Sequence, residues 1–225
     1  MGTRMIPNFL TCLNLLCGCF ACMQALNGNL ENAGWMIFAS AVLDFGDGLA
    51  ARILGAHSTF GKELDSLADV VSFGLVPGFI LFKLTESIPD LPSWLKYFSM
   101  LIPVFSALRL AKFNIDTKQS DFFIGLPTPA NAIFFAGITL SDAASNYFVN
   151  PLVLAILPFA SSFLLVSPLR LFSLKFKSLI LQGNENRYLF LFFTFILLAF
   201  LGLSAIPYII LLYVAFPLAV IKSES

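Results

Sequence analysis

Four aspartates, Asp44, Asp47, Asp65 and Asp69, hold most of the chemical potential of this chain. They stand in DFGDGLAAR and GKELDSLAD, two segments flanked by long apolar runs. A carboxylate at membrane depth is costly and needs a compensating partner. Few cations lie close in sequence, so divalent metal ions would fill that role. Hard oxygen ligands suit Mg²⁺, Mn²⁺ or Ca²⁺ rather than zinc or copper. Metal ions together with a phosphate would suggest a reaction rather than a purely structural role. The competing reading, solvated carboxylates at helix ends, needs water-facing surface that the apolar flanks do not leave.

The spacing puts these groups on helices. Asp44, Asp47, Gly48 and Ala51 share one helical face. Gly61, Asp65, Asp69 and Ser72 share a face of the next helix. Gly48, Ala51 and Gly61 leave room for a bulky ligand against the backbone. Thr11, Asn14 and Gly18 line up on an earlier helix and suggest another wall of the same cavity. Interhelical hydrogen bonding is the plainer reading of those polar groups.

The elements that must position these residues are membrane helices. Hydrophobic residues make up 58% of the 225, charged residues 12%, and mean hydropathy is +0.88. A soluble domain carries about 25% charged residues. We expect an all-α, polytopic transmembrane bundle forming one integral-membrane domain. Spans are expected at about 8–27, 33–54, 62–84, 93–115, 128–142, 150–167, 187–204 and 206–222. The fifth and sixth are short and Pro207 makes a tight break, so about six to eight helices are expected. Motifs fall in residues 1–140, and 141–225 supplies additional helices. The site is expected at one end of the first four.

Charge orients the bundle. Eleven of the 13 lysines and arginines, from Arg4, Arg52 and Lys62 through Lys118, Lys175, Lys177 and Lys222, fall at one side of these spans. Lys83 and Lys96 fall on the other. Such a bias marks the cytoplasmic side. The aspartates then face the cytoplasm from the cell membrane, in reach of soluble substrates. Zero net charge gives no sign of a nucleic-acid partner. Cys12, Cys17, Cys19 and Cys22 crowd the first apolar run and read as small packing residues rather than a metal or redox cluster. His57 reads as a loop residue. The segment 168–186 reads either as a headgroup or lipid contact or as a solvated loop.

Asp44-x-x-Asp47-Gly48-x-x-Ala51-Arg52, eight residues, then Gly61-x-x-x-Asp65-x-x-x-Asp69 resembles the signature of the CDP-alcohol phosphotransferase family. Three further segments resemble the phosphatidylserine synthase branch of that family. They are Pro7-Asn8-x-x-Thr11-x-x-Asn14, the run ALRLAKFN at 107–114 and the run FIGLPTPANA at 123–132. Lys112 stands where an arginine is more usual, which removes a forked contact there.

The resemblance implies phosphatidyl transfer from CDP-diacylglycerol to L-serine, releasing CMP. It implies two divalent cations, Mg²⁺ or Mn²⁺ with Ca²⁺ as a third choice, on Asp44, Asp47, Asp65 and Asp69. Asp69 would also take the proton of the serine hydroxyl. The nucleotide would rest against Thr11, Asn14, Gly48, Ala51, Arg52 and Gly61. Arg109 would hold the serine carboxylate, Lys112 would be a weaker contact, and Asn131 would help hold the other end of the amino acid. Membrane lipids would surround the acyl chains, and the family resemblance suggests a homodimer. Glycerol 3-phosphate, an inositol phosphate or choline as acceptor remains open, as does an ion-coupled transporter with buried carboxylates.

Overall fold

The structure is a computed structural model. It describes residues 5–56, 58–89, 91–115, 122–172 and 184–221, and only the backbone of 122, 172 and 217–221. His57, Arg4, Lys118, Lys175, Lys177 and Lys222, with most of the segment 168–186, lie outside the described residues.

Helices dominate. α1 (Met5–Leu26) and α2 (Leu30–Ile53) form a hairpin with a turn at Gly28, and they pack along each other more extensively than any other pair. α3 (Thr59–Asp69) starts where Ser58 Oγ accepts the Gly61 N–H at 3.0 Å, satisfying a donor that the first helical turn leaves free. A π-helical turn, Val70–Leu75, joins α3 to α4 (Val76–Glu86) without a break. A 3₁₀ stretch, Leu95–Met100, leads into α5 (Leu101–Ile115). After β1 (Phe122–Ile124) come α6 (Thr128–Thr139), α7 (Asp142–Phe148) and α8 (Pro151–Val166). β2 (Arg170–Phe172), α9 (Glu185–Leu201) and α10 (Ala205–Ile221) complete the described chain.

Among the described residues, four helical stretches are long and apolar enough to cross a membrane: Met5–Leu26, Thr59–Glu86, Leu95–Ile115 and Glu185–Phe216. A fifth arises if α7 and α8, bent by 88°, count as one. α2 has the length, at 24 residues, but carries both aspartates of the first motif. The expected span at 128–142 is shorter here. α6 stops at Thr139, and its 12 residues cover about 18 Å of a ~30 Å hydrocarbon layer. It compensates by position: eight of its residues are buried, and it packs on α2, α4 and α10. The core forms around it, with Phe73, Ile80, Leu81, Phe135 and Ile138 fully buried.

A small sheet is the exception to an all-α fold. β1 and β2 pair antiparallel, Phe123 opposite Leu171. The chain leaves β1 through Gly125, at φ 75°, whose N–H donates to the Leu169 carbonyl at 2.9 Å. A side chain there would meet the Leu165 carbonyl carbon at 3.1 Å, so this turn needs glycine. Leu126, Leu171, Phe190 and Tyr213 form a second cluster, which fixes α9 and α10 over the entrance to α6.

The four cysteines are free thiols, two exposed, one half-buried and one buried. Cys17 Sγ contacts the Met36 carbonyl at 3.4 Å, a packing contact between α1 and α2.

Candidate metal and nucleotide site

α1 packs against both α2 and α3, whereas α2 and α3 stand apart along most of their length. The gap between them is a cleft of about 870 Å³, and Asp47 and Asp65 sit at its wall. Ligand oxygens of Asp44, Asp47 and Asp65 lie within 4.8 Å of one another. Two ionised carboxylates this close repel each other unless a proton or a cation lies between them. Asp69 lies one turn further along α3 and is buried. It is in electrostatic reach of the other three and of Arg109.

Of the residues expected around the nucleotide, Thr11, Gly48, Ala51, Arg52 and Gly61 all line the cleft. Asn14 does not. It is fully buried, its carbonyl accepts from Ser72 Oγ at 3.1 Å, and both polar atoms of its side chain lack partners. Thr11 Oγ lies 2.6 Å from Asp47 Oδ2 and 3.0 Å from the Pro7 carbonyl. Its single proton serves the carboxylate, the shorter and charge-assisted contact.

The cleft has walls that the sequence reasoning left out of the site. Asn8, Ser58 and Lys62 line it as well. Asn8 lies inside the N-terminal motif and Lys62 directly follows Gly61, so adjacency was the available signal. Lys62 Nζ donates to the Asn114 carbonyl at 2.7 Å, and Asn114 Nδ2 donates to Ser66 Oγ at 2.9 Å. These bonds tie the end of α5 to α3.

Metal ions fit this site on two observations. Asp65 Oδ1 and Asp69 Oδ1 are buried with no hydrogen-bond partner. A Cβ added to Gly48 would meet nothing nearer than Arg52 Nη2 at 4.0 Å, so the space over that backbone is open. An all-oxygen donor set beside an open cradle suits a hard divalent cation and the phosphate it holds.

The expected acceptor contacts form a separate group. Arg109 is buried, lies 6.0 Å over the Phe113 ring, and its Nη1 donates to Thr128 Oγ1 at 3.3 Å. With exposed Lys112 it lines a hollow of about 10 Å³ rather than the large cleft. Asn131 is buried on α6, and its Oδ1 accepts from Ser161 Oγ at 2.6 Å. Its remaining polar atom is a donor, Nδ2. That donor has no partner, and Oδ1 keeps a second lone pair that an ammonium could use.

Sequence comparisons agree with this geometry. The family model for CDP-alcohol phosphatidyltransferases matches residues 4–166. The chain is 38% identical over 165 residues to the CDP-diacylglycerol–serine O-phosphatidyltransferase of Bacillus subtilis (strain 168), covering 73% of this chain and 88% of that protein. It is 38% identical over 152 residues to the protein of the same name from Methanocaldococcus jannaschii, covering 68% and 67%. For the Mycobacterium leprae protein of that name the figures are 37% over 145 residues, 61% of this chain and 47% of the relative. With its aspartates around one cleft and the family match running from α1 to the end of α8, the chain belongs to the CDP-alcohol phosphatidyltransferase family.

Proposed function

We propose that this protein transfers the phosphatidyl group of CDP-diacylglycerol to L-serine, giving phosphatidylserine and CMP. The observation that carries the reading is the meeting of Asp44, Asp47 and Asp65 beside a cleft lined by Gly48, Arg52 and Gly61, with Asp69 in electrostatic reach of all three and of Arg109. Two divalent cations, Mg²⁺ or Mn²⁺, held by the four aspartates would neutralise the diphosphate. Gly48, Ala51 and Gly61 offer bare backbone to the nucleotide, and Arg52 and Thr11 stand beside it. The serine hydroxyl oxygen attacks the phosphorus bearing the diacylglycerol, and the bond from that phosphorus to the CMP oxygen breaks. Asp69 accepts the hydroxyl proton. Arg109 binds the serine carboxylate, with Asn131 beside it and Lys112 at the margin.

Residues 1–140 form the catalytic part and the later helices surround it. The bundle lies in the cell membrane with the cleft open to the cytoplasm, a placement supported by the eleven-to-two basic asymmetry among its lysines and arginines. Resemblance to the family supports a homodimer.

The test is an acceptor screen. Purified protein is given CDP-diacylglycerol, Mn²⁺ or Mg²⁺, and serine, glycerol 3-phosphate, inositol phosphate or choline in turn. Serine should release CMP fastest and yield phosphatidylserine. Faster release with another alcohol overturns the acceptor and leaves the reaction class standing. No CMP with any acceptor overturns the reaction class too.

A further inference from the structure

We propose that Lys62, the fourth residue of α3, is a phosphate-binding cation of the cleft, held in place by the end of α5. Its ligand is the phosphate of a cytidine nucleotide, in CDP-diacylglycerol or in released CMP. The proposal rests on the nucleotide reading above and deepens it.

The two walls of the cleft each bring one cation. Arg52 stands in the last turn of α2, and its Nη2 lies 4.0 Å from where a Cβ on Gly48 would stand. Lys62 lines the cleft from α3. Among the described residues, these two are the lysine and arginine side chains in the lining. Each stands nearer the connecting loop than the cleft aspartate of its own helix. Asp47 comes five residues before Arg52, and Asp65 three residues after Lys62.

Charge gives this pair a task. Two dications would balance the four aspartates and leave no positive charge over for a substrate. The diphosphate of CDP-diacylglycerol brings a negative charge on each phosphate, and an anion out of water needs partners. Arg52 and Lys62 supply one positive charge from each wall. Lysine is well suited to a phosphate, which it meets as a point charge.

A free lysine loses side-chain entropy when it binds. Lys62 is restrained beforehand. Its Nζ donates to the Asn114 carbonyl at 2.7 Å. Asn114 lies in the last turn of α5, where helix carbonyls have no partner within the helix. Asn114 Nδ2 donates to Ser66 Oγ at 2.9 Å, and Ser66 Oγ donates to the Lys62 carbonyl at 3.2 Å. These bonds close a ring between α3 and α5. An ammonium has three donors. The Asn114 carbonyl takes one, and the others remain for phosphate oxygens.

The experiment compares Lys62→Gln and Ser66→Ala with the unaltered protein, each purified and supplied with Mn²⁺. CMP binding is measured by calorimetry, and KM values by CMP release. Lys62→Gln keeps an N–H for the Asn114 carbonyl and removes the charge. It should weaken CMP binding about 10–100-fold and raise the KM for CDP-diacylglycerol in step. The KM for serine should not change, and Mn²⁺ affinity should not fall. Added KCl should weaken CMP binding less steeply in Lys62→Gln than in the unaltered protein, since one screened ion pair is gone. Ser66→Ala loosens the ring and leaves the ammonium. It should lower Tm and hold CMP affinity within about 3-fold. Unchanged CMP affinity in Lys62→Gln, an equal loss in Ser66→Ala, a raised serine KM or a fall in Mn²⁺ affinity would each overturn the proposal. If the unaltered protein binds no CMP, the nucleotide reading itself fails, and that result is seen before any variant is made.

Discussion

Thr11 on α1 and Asp47 on α2 are joined through 2.6 Å between hydroxyl and carboxylate, 36 residues apart in sequence. The bond ties α1 to the aspartate cluster although α1 contributes no carboxylate. It fixes the rotamer of Asp47 and leaves that residue's second oxygen for the cleft. Removing the hydroxyl in Thr11→Val keeps the shape and loses the bond. We expect metal affinity to fall about 10–100-fold, as for other groups that orient a ligand. Titration of activity with Mn²⁺ would measure it, and an unchanged metal dependence would remove Thr11 from the site.

Chelation should abolish turnover. Excess EDTA is expected to stop CMP release, and added Mg²⁺ or Mn²⁺ to restore it. The reason is the crowding of Asp44, Asp47 and Asp65, whose ligand oxygens lie within 4.8 Å of one another and which a divalent cation would neutralise. Full activity in EDTA, with no metal found in the protein by elemental analysis, would defeat the metal reading.

Asp69 and Asp47 should fail differently. Asp69→Asn is expected to lower kcat by about 10²–10⁴-fold while CDP-diacylglycerol still binds. Asp47→Ala should weaken metal and nucleotide binding together. A loss under about tenfold in Asp69→Asn would assign the proton to another group.

Two glycines separate packing from ligand space. A Cβ on Gly18 would come within 2.9 Å of Ser72 Cα, so Gly18→Val forces α1 away from the π turn. Overpacking of this kind costs about 1–3 kcal/mol, and a lower Tm in detergent would report it. Gly48→Ala meets no protein atom closer than 4.0 Å and should keep its Tm. Its KM for CDP-diacylglycerol should rise instead. A drop in Tm for Gly48→Ala with no change in KM would mean that the cradle is not a binding surface.

Orientation can be read by labelling. Thr59 is exposed at the cleft, and Ser93 is exposed before the 3₁₀ stretch that leads into α5. In a background lacking the four native cysteines, Thr59→Cys should react with an impermeant maleimide from the cytoplasmic side alone. Ser93→Cys should react from outside alone. The reverse pattern would invert the topology.

The meeting of Asp44, Asp47 and Asp65 was legible in the sequence because their spacing is local. Asp44 and Asp47, and Asp65 and Asp69, sit one turn apart, so helical periodicity alone puts each pair on a face. The cleft contacts of Gly48, Ala51, Arg52 and Gly61 follow from the same faces. Periodicity aligns Asn14 with Thr11, but Asn14 sits one turn deeper, fully buried and outside the cleft lining. The span at 128–142 already reads as short, and α6 ends three residues before that bound because Ser141 takes an extended backbone ahead of α7. The β1–β2 pair and the Ser161–Asn131 bond join distant segments. Each depends on how whole helices pack, which no local pattern encodes.

The π turn at Val70–Leu75 has a consequence for how one helix serves two solvents. An α-helix advances about 100° per residue, so one extra residue shifts the phase of everything beyond it by about that angle. Before the turn, the inward stripe carries Asp65 and Asp69. After it, the inward stripe is Val76, Ile80, Leu81 and Leu84. The turn acts as a swivel, letting a polar seam and an apolar seam share one continuous rod, each aimed at its own neighbours.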